Sequence, residues 1–175
     1  MTQAAALPDV IRDFERTPAD IVRQAGEFPA SILADVAGRR GALDGRIAPL
    51  AMTMRFAGTA LTVEVRPGDT LMIHAALALA KPGDVILGEG KGDTSSALFG
   101  EIMVQQAIAL GVVAVVLDGA SRDREAICGL GFPMYSVAPT RTAPPSSSPD
   151  VSTTRSRSAA SPCTRAIWSS ATATA

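Results

Sequence analysis

A chain of 175 residues and 18.0 kDa can bury one core of ordinary size, and nothing in it requires a second globular unit. With 47% hydrophobic residues, 19% charged residues and a formal net charge of -1, it lacks the basic footprint of a nucleic-acid binder and the polybasic patch of a membrane-surface protein. Cys128 and Cys163 exclude a disulfide scaffold and a cysteine-built zinc site, and they point to a reducing compartment.

The opening stretch MTQAAALPDVIRDFER is acidic and amphipathic, unlike a signal peptide, and no apolar run approaches the length of a membrane span. The reading is therefore a soluble cytoplasmic protein with neither nucleic acid nor membrane among its partners. Over residues 8–25, Val10, Ile11, Phe14, Ile21 and Val22 lie among charges, which predicts one or two helical turns interrupted near Pro18. Pro29-Ala30-Ser31 opens a second short helix in which Ile32, Leu33, Val36 and Ala37 are expected to face inward, with Gly38 closing it. Residues 39–51 read as a loop. Residues 56–65 alternate as a strand does, and Pro67-Gly68-Asp69 turns the chain. The alanine-rich run 71–80 fits a buried helix carrying the lone histidine, His74, which is read as a packed or surface residue. Pro82-Gly83-Asp84 punctuates again, and Asp69 and Asp84 are read as turn residues in preference to metal ligands.

Residues 83–123 are the most informative stretch. Val85, Ile86 and Leu87 form a short apolar run with no polar face, and residues 112–117 form another, as expected of parallel strands covered on both sides. Between them Phe99, Met103, Ala107 and Leu110 recur at spacings of four and three, which predicts a helix packed on the sheet. Gly88, Gly90 and Gly92 are expected to turn the backbone sharply after the first strand, with Asp93, Thr94, Ser95 and Ser96 as candidate caps for the helix. Lys91 and Asp93 lack the spacing of a nucleotide-binding loop. Asp118-Gly119-Ala120-Ser121 then delivers Arg122 beside Asp123 at the carboxyl edge of the sheet, where open α/β folds bind ligands.

Beyond the pair, residues 124–130 predict a short helix closed by Gly131, with Cys128 as an inert buried thiol, and residues 132–137 resemble one more strand. From about Pro139 the chain becomes rich in Ser, Thr, Ala, Pro and Arg, with a solitary Trp168 and almost no apolar periodicity. The domain reading is accordingly an α/β domain over residues 1–139 and a Ser/Thr/Pro/Ala-rich tail over 140–175.

The segment LFGEIMVQQAIALGVVAVVLDGASRD, followed by GFPMYSV, resembles the RraA-like family. The likeness continues upstream through PASILADVAGRRG and FAGTALTVEVRPGDTLMIHAALALAKPGDVILGEG and covers roughly residues 8–139. That family includes 4-hydroxy-4-methyl-2-oxoglutarate aldolases, which also decarboxylate oxaloacetate, and regulators of ribonuclease activity. The resemblance implies a single compact α/β domain of the swivelling β/β/α type, its central mixed, barrel-like sheet flanked by helices. It also implies assembly into trimers or hexamers with sites near subunit interfaces. Carried onto this chain, the aldolase pattern implies that Gly100, Glu101, Ile102 and Met103 line a pocket for a small 2-keto acid, largely through backbone groups. Arg122 would bind the substrate carboxylate and keto oxygen. Asp123 would hold a divalent cation, magnesium in the first place and manganese as the alternative. Regulators of ribonuclease activity commonly lack the aspartate after the arginine, so its retention favours a lyase over a non-catalytic inhibitor of an RNA-degrading enzyme. An inactive homologue is a third reading, because of the tail.

The family continues past this point with a strand of PVxVGGV type, a PGD turn and another strand, and the tail has no such amino acids. The codons it implies do. Joining the last base of each codon to the first two of the next turns SPCTRAIWSSATATA into AVHPGDLVIGDGDG, and TRSRSAAS into PVSVGGV, with free third bases chosen mostly as G or C. The stretch PPSSSPDVSTT likewise permits a loop of PTKxVPGRVNH type. The expectation is a shift of reading frame near residue 140, leaving the natural end of the domain unwritten.

Overall fold

The computed structural model describes residue 11 and residues 14–140; the tail read as out of frame lies, past Thr140, outside the described residues, as do residues 1–10 and 12–13. Two short helices come first. Pro18 and Pro29 hold extended backbone immediately before α1 (Ala19–Gly26) and α2 (Ala30–Val36), so the fixed proline geometry sets both starts. A two-residue strand, β1 (Ala48–Pro49), lies in the segment expected to be loop, followed by β2 (Thr59–Glu64) and α3 (Leu71–Leu79). The central part is β3 (Asp84–Phe99), α4 (Glu101–Ala109) and β4 (Ala114–Ser121). Then come α5 (Arg124–Gly129), β5 (Met134–Ser136) and β6 (Ala138–Pro139).

One six-stranded mixed sheet organises these elements, in the order β1-β5-β4-β3-β2, with β6 pairing the far end of β4. β2, β3 and β4 run parallel, as do β4 with β5 and β6, while β1 is antiparallel to β5. Every residue of β4 is buried, which is why its first four residues, Ala114 to Leu117, are all apolar with no alternation. Val85 and Ile86 of β3, Ile73 and Leu77 of α3, and Val104 of α4 are fully buried around it.

Three expectations need correction. The glycine run is not a turn: β3 continues through it to Phe99, and Glu89 faces Asp118 while Asp93 and Ala97 face Gly119 and Ala120, so the intervening residues bulge out of the ladder. Its glycines serve close approach. A Cβ on Gly88 would lie 2.7 Å from Leu117 Cδ2, and one on Gly90 would lie 2.7 Å from Leu98 Cδ1 and 2.8 Å from the Asp118 carbonyl. Residues 93–96 therefore cap nothing; Asp93 accepts hydrogen bonds from the Ser95 amide and hydroxyl, and the helix begins after Gly100.

The expected helical stripe is also displaced, since Phe99 ends the strand and Val104 with Ala107 makes the buried face of α4. Finally, α2 does not turn its apolar residues inward: it has no buried residue, with Ile32 50% and Val36 84% exposed. Asp84 does more than punctuate. Its buried carboxylate accepts two-point hydrogen bonds from the Arg16 guanidinium at 2.8–2.9 Å and another from the Lys81 amide at 2.8 Å. Arg16 also sits 4.3 Å above the Phe14 ring, so the segment before α1 is fastened to the start of β3.

Candidate functional site

The end of β4 and the start of α4 meet at one point. The Arg122 amide donates to the Phe99 carbonyl at 3.0 Å, carrying the β3–β4 association one step beyond the ladder and fixing Arg122 against Gly100. Asp123 follows with φ 59° and ψ 37°, a left-handed conformation that aspartate tolerates better than most residues. It precedes α5 without capping it by its side chain. The carboxylate reaches instead to α4, where Oδ2 accepts the Glu101 amide at 3.1 Å and lies 3.4 Å from Arg122 Nε. Among the described residues, Asp123 Oδ1 takes no hydrogen bond.

Gly100 makes this convergence possible. A Cβ there would fall 2.7 Å from Arg122 Nε, 2.7 Å from Asp123 Oδ2 and 3.0 Å from Arg122 Cγ. Because α4 returns its first internal bond from the Val104 amide to the Gly100 carbonyl, the amides of Glu101, Ile102 and Met103 have no partner within the helix. Asp123 takes the first, and those of Ile102 and Met103 stay open among the described residues. The Glu101 carboxylate accepts from Gln105 Nε2 at 3.0 Å. The Ile102 side chain is 77% exposed, whereas Met103 packs against the core.

Four of the six expected residues, Gly100, Glu101, Arg122 and Asp123, are thus in mutual contact or hydrogen-bonded; Ile102 and Met103 bring backbone N–H groups only. The Arg122 and Asp123 side chains are 38% and 40% exposed, so the site is open on one side. Among the described residues no group of three or more His, Cys, Asp or Glu side chains could cage a metal. The donor set fits a cation held by one carboxylate and completed by water and substrate oxygens, the usual arrangement for magnesium. His74 is exposed on α3 away from this arrangement, and Asp69 accepts the Leu71 amide at the start of that helix. Cys128 is only partly buried and lies 3.7 Å from the Leu50 carbonyl.

Sequence reading missed a second feature. A cleft of about 330 Å³ lies over β2, β3 and β4, lined by Leu43, Ile47, Thr62, Leu87 and Val116 and by the carboxylates Glu64, Glu89 and Asp118, and none of the six expected residues lines it. The parallel register places Glu64 opposite Glu89 and Glu89 opposite Asp118, so the acids form one row across three strands. Asp118 is buried and receives the Arg46 guanidinium at 2.8 and 2.9 Å, and this hydrogen bond and charge raise the Arg46 pKa above its ordinary value. Lys91 Nζ lies 3.3 Å from Glu64. Alternation over residues 56–65 and the apolar runs that follow were visible in the sequence, but the register that aligns the three acids was not.

The architecture is that of an α/β protein with one mixed sheet flanked by helices, carrying an arginine–aspartate pair set against a helix start. The family model described as RraA-like, Aldolase/RraA, matches residues 12–155, and the chain belongs to that family. A Halalkalibacterium halodurans protein, named provisionally as a 4-hydroxy-4-methyl-2-oxoglutarate aldolase, is 35% identical over 116 residues, 66% of this chain and 55% of the relative. The chain therefore spans about half the length of that curated relative. The RNA-processing inhibitor RraA from Thermus thermophilis superposes with a TM-score of 0.61 at 25% identity, covering 67% of this chain and 71% of that one. An RNase ES inhibitor family member from Streptomyces coelicolor shares the fold with a TM-score of 0.66 at 23% identity, covering 75% and 70%.

Proposed function

We propose that this site belongs to a divalent-metal-dependent carbon–carbon lyase that cleaves 4-hydroxy-4-methyl-2-oxoglutarate-like 2-keto acids to pyruvate and decarboxylates oxaloacetate. The observation that carries the reading is the convergence at Gly100, where the absent Cβ leaves room for a guanidinium, a carboxylate with one free oxygen and the open N–H groups of α4. Both reactions break a carbon–carbon bond and leave its electron pair on a pyruvate enolate. The problem to be solved is negative charge on the former keto oxygen. Arg122 would place fixed positive charge there and pair with the substrate carboxylate in forked geometry. The open amides of Ile102 and Met103 would donate to a second anionic oxygen at the positive end of α4. A magnesium or manganese ion, when bound, supplies Lewis-acid polarisation of the carbonyl. Asp123 is the residue that would hold it.

The site's openness beside the exposed Ile102 accords with assembly into a trimer or hexamer in which a neighbour closes it, in a cytoplasmic setting. The altered tail belongs to the same reading: a frame shift near residue 140 would leave the domain without its natural end, and this chain would then be destabilised and weakly active or inactive. Resequencing the gene across that region checks the frame, and an unshifted frame encoding SSSPDVSTTRSR removes the idea. The likeness to the Thermus inhibitor favours a second reading, a non-catalytic protein that binds an RNA-degrading enzyme. Pyruvate release from both keto acids, measured with magnesium and with EDTA on this chain and on a frame-restored version, separates the two. Metal-dependent release supports the lyase; its absence from both proteins leaves the inhibitor reading.

A further inference from the structure

The segment between α2 and β1 is attached to the rest of the molecule by very little. It leaves the helix through Gly38, Arg39 and Gly41, all with positive φ (72°, 61° and 81°), and its residues 40–42 and 44–46 are exposed. Its backbone hydrogen bonds are local, the Arg46 and Ile47 amides both donating to Asp44. Among the described residues, the only hydrogen bonds from 40–47 to the sheet are those of Arg46 to Asp118. Leu43 and Ile47 are its two partly buried apolar side chains, and both line the cleft over β2, β3 and β4. A segment with few buried contacts, exposed backbone and a pliable entry has a low free energy of local opening.

We propose that residues 40–47 form a strap that opens and closes over this cleft, pivoting at residues 38–41 and latched by the two-point Arg46–Asp118 contact. Closed, the strap lays Leu43 and Ile47 over the floor formed by Leu87 and Val116. Open, it bares that floor and leaves Asp118 facing Glu89 and Glu64 without its guanidinium. The repulsion within the acid row then favours re-latching, while Asp44, on the strap itself at 3.9 Å, is the weaker partner left to Arg46 when the latch is open. The latch is a partly exposed charge pair, so added salt weakens it.

The test uses the full chain with Cys128→Ser and Cys163→Ser, and the rate at which the neutral reagent 4,4′-dithiodipyridine modifies a reporter thiol introduced by Leu87→Cys. A second reporter, Val115→Cys, sits at a fully buried position of β4 away from the cleft and reads global unfolding. The expected result is a rate at Leu87→Cys that rises about tenfold in Arg46→Gln, the size of effect that loss of one charge-assisted hydrogen-bonded latch gives. A comparable rise is expected when salt goes from about 0.02 M to about 0.5 M, and Arg46→Gln abolishes that salt response. If Arg46→Gln fails to fold with Asp118 unpaired, the double variant Arg46→Gln/Asp118→Asn restores a neutral pair and is expected to be fast and insensitive to salt. The strap is overturned if the reporter rate changes less than about twofold in the folded variant, or if the Val115→Cys rate rises in parallel.

Discussion

Asp123 spends its carboxylate on a neighbouring helix, and its left-handed backbone is what aims it there. Aspartate and asparagine both accept this conformation, and both can take the Glu101 N–H bond. Asp123→Asn is therefore expected to change stability by less than about 1 kcal/mol in a denaturant titration, while abolishing metal-dependent pyruvate release if the carboxylate holds the cation. Equal activity in the presence of metal would show that the charge is not needed. Gly100→Ala acts differently, since its methyl group must displace Arg122 Nε and Asp123 Oδ2 together. On the lyase reading, the expected outcome in a frame-restored protein is a loss of about 100-fold or more in kcat/KM, comparable to removing an oxyanion donor. Stability should fall by only about 1–2 kcal/mol because both displaced groups are partly exposed.

Tyr135 is the buried counterpart. Its ring is 1% exposed, stands edge-on to Phe56 at 5.3 Å, and its hydroxyl donates to the Met54 carbonyl at 2.7 Å. Burial raises its pKa above the usual 10.0, so the unfolded chain ionises first as pH rises. The folded state then binds more protons than the unfolded one, and stability falls as pH climbs past 10. Tyr135→Phe should reduce that alkaline slope and cost about 1–2 kcal/mol at neutral pH by orphaning the Met54 carbonyl. At this scale the motif singled out Arg122 and Asp123 as candidates, but no residue pattern encodes a single positive φ, so the aim of the carboxylate toward α4 stayed hidden.

Elements were legible where composition allowed one answer. The apolar run at 85–87 falls within β3 and the run at 112–117 overlaps β4 from Ala114 onward, because the stretch of a strand covered on both faces favours apolar side chains. The stretch 88–96 allowed two, since glycine serves equally for a turn and for tight packing. The structure chooses packing: Leu98 Cδ1 lies 2.7 and 2.8 Å from where a Cβ would stand on Gly90 and Gly119. Gly90→Ala is expected to destabilise by about 2 kcal/mol, because one of the obstructing atoms is the Asp118 backbone carbonyl and cannot swing away. A thermal melt checks it. The misreading of α2 has another cause. Its amphipathic pattern is real, but a pattern says only that an apolar face exists and not that this same chain covers it; among the described residues nothing does, and Val36 is 84% exposed.

Across the whole molecule, the buried Asp84 carboxylate joins the two ends of the described chain's first half. Arg16→Ala removes the guanidinium from a carboxylate that is 1% exposed in the intact chain and leaves it, among the described residues, only the Lys81 amide for support. The expected loss is about 3 kcal/mol, measured as a lowered midpoint in urea, and Arg16→Lys should recover only part of it because a single ammonium cannot reproduce the fork. This tie spans 68 positions, so sequence reading had no means to find it. It assigned Asp84 to a turn on the strength of its Pro-Gly neighbours.

The ladder between β3 and β4 has a lasting consequence for how such a chain can vary. Glu89 and Asp93 stand opposite consecutive residues of β4, so the residues between them are already surplus to pairing, and Lys91 is exposed with its ammonium on Glu64. Length can drift there at little cost, on the order of 0.6 kcal/mol for each doubling of the excursion. Bulk cannot, one position away at Gly90. Natural homologues are thus expected to differ by insertions at the very place where they tolerate no added methyl group.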